Sequence, residues 1–143
     1  MSANERPGKT EWFYQDDTVS ITAQILKQDR MIDEQTVRNL ALALPQVEEH
    51  THWQRPAFRV NNKIFATIWP LQQQVVIRLS PADQTQLIGQ DSITFSAVKG
   101  KWGQQGYTIA QYDNLSEEEC YRLLRQSWLL VAPKGLAAEL NNK

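Results

Sequence analysis

Apolar residues recur at helical spacing near the two ends of the readable chain, and alternate or run together between them. After Asp33, Val37, Leu40, Ala41 and Leu44 fall at i, i+3, i+4 and i+7, which predicts a helix capped by Asp33. Pro45 ends it, because the residue before a proline is pushed out of the helical region. Near the C-terminus Cys120, Leu123, Leu124, Trp128 and Val131 form one apolar helix face. Ser116 and Glu119 have capping-box spacing there, and Leu115 can staple onto Cys120. Pro133 closes that helix and leaves "KGLAAELNNK" as a short terminal turn or helix. The middle of the chain predicts strands at Ala57–Val60, Lys63–Trp69, Val75–Leu79, Ile93–Val98 and Tyr107–Tyr112. A short helix starts at Ser80-Pro81-Ala82-Asp83 and stops at Gly89. The stretch "QVEEHTHWQRP" reads as a polar loop. The resulting order, α-β-β-β-α-β-β-α, predicts an α+β fold with an antiparallel sheet and helices segregated from it.

Asn61-Asn62 joins the first two strands, and asparagine tolerates the positive φ of a tight two-residue turn. With that turn, residues whose numbers sum to 123 pair across the hairpin. Phe58, Val60, Lys63, Phe65 and Trp69 then share one face, and Arg59, Ile64, Ala66 and Ile68 share the other. Both faces are largely apolar, so a register shift would exchange partners. Residues 1–30 are expected to form an N-terminal extension to a single domain over 31–143. That extension holds an aromatic cluster (Trp12, Phe13, Tyr14) and a run that fits a strand and a helix equally. Its "PGKT" is no phosphate loop, since Ala3 stands where the pattern needs glycine.

Composition narrows the class. The chain has 143 residues, 41% hydrophobic and 22% charged, enough for one domain to bury a core unaided. A single cysteine excludes an internal disulfide and suits a reducing cytoplasm. No long apolar run begins the chain, so neither a signal peptide nor a membrane contact is expected, and the protein reads as cytoplasmic. Net charge is −1, against a generally basic nucleic-acid binder. Its distribution is uneven, however. Between His50 and Tyr112 six basic side chains (Arg55, Arg59, Lys63, Arg78, Lys99, Lys101) face two acidic ones (Asp83, Asp91), a balance of +4.

The chemistry-bearing residues do not assemble an enzyme signature. His50 and His52 sit beside Glu48 and Glu49, but zinc needs further ligands and Cys120 lies on a helix face expected to be buried. No nucleophile elbow or paired-carboxylate motif appears, so neither catalysis nor a cofactor is expected. Trp128 and the strand aromatics read as core. Trp53 and Trp102 lie in loops, the latter in "KGKWGQQGY", where lysines could meet phosphates while the indole stacks on a base or wedges into a groove. The alternative is that Trp102 folds back to cap the sheet and its lysines are solvated. A basic surface, if formed, is assigned to Arg55, Arg59, Lys63, Lys99 and Lys101, with Trp53, Trp102 and Tyr107 as stacking groups.

The helix ending "LALALP", then "VEEHTHWQRPAFRVNNKIFA", the strand "VVIRLSP" and the closing "LSEEECYRLLRQSWLLVAPKGLA" together resemble the MmcQ/YjbR family of small bacterial proteins. The resemblance covers roughly residues 32 to 141. It implies one antiparallel sheet packed with helices, as in secretion chaperones and "double-wing" DNA-binding domains. It also implies a DNA-binding label that rests on fold analogy. Two readings stay open: a DNA-binding module with phosphate-directed contacts, and a protein-interaction or chaperone-like module with a protein partner or a second copy of itself.

Overall fold

The computed structural model describes residues 32–141. The expectations placed on residues 1–30, including the aromatic cluster at Trp12–Tyr14, lie outside the described residues. Helix α1 (Glu34–Leu42) starts where Asp33 Oδ1 accepts from the backbone N–H and hydroxyl of Thr36 at 2.9 and 2.7 Å. Strands β1 (Glu48–His52), β2 (Arg55–Val60), β3 (Lys63–Trp69) and β4 (Gln74–Arg78) follow, with a 3₁₀ turn at Pro70–Gln72. Next come α2 (Pro81–Gln90), β5 (Phe95–Ala97), a four-residue α3 (Lys101–Gln104) and β6 (Tyr107–Gln111). Helix α4 (Glu117–Val131) carries the full Ser116–Glu119 capping box, and α5 (Lys134–Asn141) ends the described chain.

The fold is α+β, and among the described residues six strands form one antiparallel sheet ordered β1-β2-β3-β4-β6-β5. Strand β1 occupies part of the stretch expected to be a polar loop. Four of its five residues are exposed, so it has no buried side to leave an alternating pattern. Backbone pairing to β2 makes it a strand, through a two-residue turn at Trp53-Gln54 with both φ positive, 53° and 64°. Strand β5 is shorter than expected and leaves Ile93 84% exposed before it.

A bulge decides which faces the β2–β3 hairpin presents. Val60 pairs with Lys63 and Arg59 with Ile64, as the turn predicts, but Phe58 then pairs with Ala66. Phe65 is the extra residue. Beyond it the two faces of β3 exchange roles, which corrects the expected grouping. Phe65 and Ala66 both join the core, Ile68 follows, and Trp69 moves to the opposite face with Arg55 and Arg59. The core side thus collects Phe58, Val60, Phe65, Ile68, Val75 and Ile77 against α1 and α4.

Helix α4 repairs the ladder at the bulge. The buried Ser127 hydroxyl accepts from the Arg78 backbone N–H at 3.0 Å and donates to the Phe65 carbonyl at 2.7 Å. These are the two groups that would have continued the β3–β4 ladder, so neither is left unpaired. One turn position on, Trp128 is fully buried, and its Nε1–H donates to the Pro45 carbonyl at 3.1 Å.

Candidate nucleic-acid interface

Opposite the helices, the register lays out a second sheet face in three cross-strand rows. The middle row is small or apolar: Ala57, Thr67, Val76 and Ile109. One outer row holds His52, Arg55, Trp69 and Gln74. The other holds Glu48, Arg59 and Ile64, with Arg78 and Tyr107 continuing it on β4 and β6. The hydrophobic residues on this face lie outside the main core cluster, although Ala57 and Val76 are themselves buried. Rows four residues apart on a strand are separated by about 13 Å.

The predicted site residues therefore divide between the two ends of the sheet. Arg59, Lys63, Lys99, Lys101, Trp102 and Tyr107 come together at the end where β2 turns into β3 and β5 into β6. Arg55 and Trp53 sit at the far end. There the Arg55 guanidinium stacks 4.0 Å over the Trp69 ring, and Trp53 is 81% exposed with its ring edge-on to His52. A bulky residue at positive φ and in open water is conformationally and hydrophobically costly.

Two residues escaped the choice made from sequence. Arg78, in the strand "VVIRL", is one of the six basic side chains but is not assigned from sequence to the basic surface, yet its side chain stands beside Tyr107, 5.8 Å from the ring centroid. Trp69 looked like core because the turn alone, without the bulge, places it with Phe58.

The loop carrying Lys99 and Lys101 is folded into α3, and its glycines serve close packing. A Cβ on Gly103 would overlap the Val98 carbonyl oxygen, and one on Gly106 would overlap that of Leu79, at a φ of +106° that side chains avoid. Gln84, nearly buried on α2, donates to the Tyr107 carbonyl and the Thr108 hydroxyl at 3.0 and 3.1 Å. The result fixes Trp102, 58% exposed, edge-on against Tyr107 with centroids 4.6 Å apart.

Carboxylates leave the cations of this end available. Among the described residues none of Arg59, Lys63, Arg78, Lys99 and Lys101 forms an ion pair. The nearby acids have other partners: Glu48 lies 3.2 Å from His50 Nε2, Glu49 pairs with Arg38, and Asp83 accepts from Gln126. Asp33, Asp91, Asp113 and Glu117 gather at the opposite end, where α1 and α4 begin. Burial pushes the Cys120 thiol up to about 12, so it stays protonated and inert. Among the described residues no three His, Cys, Asp or Glu side chains cluster to hold a metal, and no helix is long and apolar enough to cross a membrane.

The model of a family described as YjbR matches residues 42–130 of this chain. No curated protein matches it. Among solved structures, the crystal structure of the Deinococcus radiodurans protein DR2400, with the family-model domain DUF419, superposes with a TM-score of 0.64. It is 20% identical over 76% of this chain and 84% of its own, a likeness of fold.

Proposed function

The chain belongs to the YjbR family, and from that premise we propose that it binds DNA without catalysing a reaction, through phosphate-directed contacts at the basic end of its sheet. One observation carries the reading: Arg59, Lys63, Arg78, Lys99 and Lys101 converge from three separate parts of the chain and have no carboxylate partners among the described residues. Unpaired cations on one side of a protein repel one another and create a field that an anionic polymer relieves. Phosphates, displayed at regular spacing, suit cations placed on two hairpin ends on either side of β4. The net charge of −1 does not oppose this, because Asp33, Asp91 and Asp113 lie toward the other end.

Fluorescence anisotropy with labelled DNA tests it. Affinity should fall steeply as salt rises, with a log–log slope of roughly −0.9 per phosphate contacted on duplex. Lys99→Glu, Lys101→Glu and Trp102→Ala combined should abolish most of the binding; unchanged affinity would remove this end of the sheet from the account.

A second reading, a protein-interaction module, draws on the far end. Leu71, Ile93 and Trp53, exposed by 94, 84 and 81%, all project from loops on that rim. Scattered exposed apolar residues are ordinary, but these three share one end of the sheet, from the β1–β2 turn to the start of β5, where a broad partner would meet all of them. If the partner is a second copy, light scattering will give twice the monomer mass, and Trp53→Ser with Leu71→Ser will restore the monomer.

A further inference from the structure

Two donors at the basic end lack acceptors. Arg59 and Arg78 stand on the same sheet face, on β2 and β4 with β3 between them, and each has its Nε buried without a hydrogen-bond partner. Buried polar groups are nearly always paired, so two such orphans in one row mark guanidinium groups that gain by reorienting onto an acceptor supplied from outside. Two strand spacings separate their backbones by about 10 Å, a gap that two arginine side chains span from either side. An oxyanion between them would satisfy both, since a guanidinium binds phosphate through charge-assisted, forked hydrogen bonds. A simple anion would leave the neighbouring aromatic groups unused. Trp102 is propped against Tyr107 at 4.6 Å with 58% of its surface open, and Tyr107 adjoins Arg78. Phosphate donors and an open ring therefore lie side by side, as a nucleotide places its phosphate and base.

Resting on that DNA-binding reading of the same site, we infer that the ligand is single-stranded nucleic acid, with a phosphate between Arg59 and Arg78 and an unpaired base stacked on Trp102. In a duplex the base faces are stacked on one another and the protein meets only backbone and groove edges. An exposed indole beside phosphate donors could engage such a ligand only by wedging into a groove and unstacking a base step, which costs stacking energy. A single strand can turn one base out onto the ring, and the stacking is indifferent to which base it is. Lys99 and Lys101, in the same loop as Trp102, are positioned for the adjoining phosphates.

The test uses the full chain, a labelled oligothymidylate of roughly a dozen nucleotides and a duplex of equal length, compared by anisotropy at matched salt. The oligothymidylate should bind more tightly and quench tryptophan fluorescence. Trp102→Ala, at an exposed position, should weaken its binding roughly tenfold to a hundredfold while barely changing that of the duplex. Trp102→Phe should recover most of the loss, and Arg59→Gln with Arg78→Gln should weaken both ligands. Equal affinity for the two, with Trp102→Ala affecting both alike, overturns the single-strand assignment and leaves the DNA-binding reading standing. No binding of either brings down both.

Discussion

Two carboxyls that accept local hydrogen bonds, Asp33 before α1 and Asp91 after α2, give this protein part of its acid sensitivity. The Thr36 hydroxyl and then its backbone N–H donate to Asp33, and this holds the carboxyl below its usual 3.8. Thr94 holds Asp91 down in the same way. A carboxyl whose pKa is lowered by folding adds stability that is full above the unfolded value and is lost as pH falls through the folded one. The melting temperature should therefore decline once pH drops below 3.8. Asp33→Asn, which keeps an acceptor for the cap but cannot titrate, should decline less across the same interval in thermal melts followed by circular dichroism. Asp33 and the Ser116–Glu119 box were readable because caps are local: two or three residues contain all their partners. Arg78 was not readable, because its position opposite Tyr107 depends on a strand pairing between residues about thirty apart in sequence.

At the scale of elements, the β2–β3 bulge and α4 explain each other. A sequence shows the tight turn at Asn61-Asn62, and pairing near the turn follows from it. The slip at Phe65 is set from a distance by Ser127, whose hydroxyl occupies the place of a ladder bond. Ser127→Ala should leave a buried N–H and a buried carbonyl unpaired, at a cost of about 1–3 kcal/mol. Urea unfolding would measure that loss. Because the lost bond anchors the backbone of Arg78, nucleic-acid affinity should fall too, although Ser127 is buried away from solvent. A stability loss with unaltered affinity would mean that Arg78 is positioned by its side chain alone. Strand β1 escaped the sequence for a related reason. Its turn, Trp53-Gln54, lacks the glycine or asparagine that announces positive φ, and its exposed side chains have no period to detect.

For the whole molecule, the separation of charge matters more than its sum. Arg59, Lys63, Arg78, Lys99 and Lys101, with Trp102 and Tyr107, occupy one end of the sheet face opposite the helices. The Arg55–Trp69 stack and the exposed apolar tips occupy the other, with Asp33, Asp91 and Asp113 beyond it. Glu48 is the exception, since it is the register partner of Arg59 on the cationic row. Glu48→Gln should tighten nucleic-acid binding severalfold and leave stability almost unchanged, because its contact with His50 is largely solvent-exposed. Titrations at two salt concentrations would separate this electrostatic gain, which shrinks as salt rises, from any new contact. The α+β class, both long helices and most strands were legible in the chain. Which cations would meet was not, since that depends on strand order, and the β4–β6 neighbourhood skips β5.

The borders of the sheet have a consequence for life at high concentration. Peptide groups along an outermost strand invite strands from other molecules, the route by which sheets polymerise into fibrils. Here one border is only three residues long, and the other, "EEHTH", places two carboxylates and two imidazoles along the exposed margin. An approaching copy would have to dehydrate those groups before bonding to the backbone between them. The same sparse, hydrophilic β1 that hid from pattern reading thus guards its border against the addition of another molecule's strand.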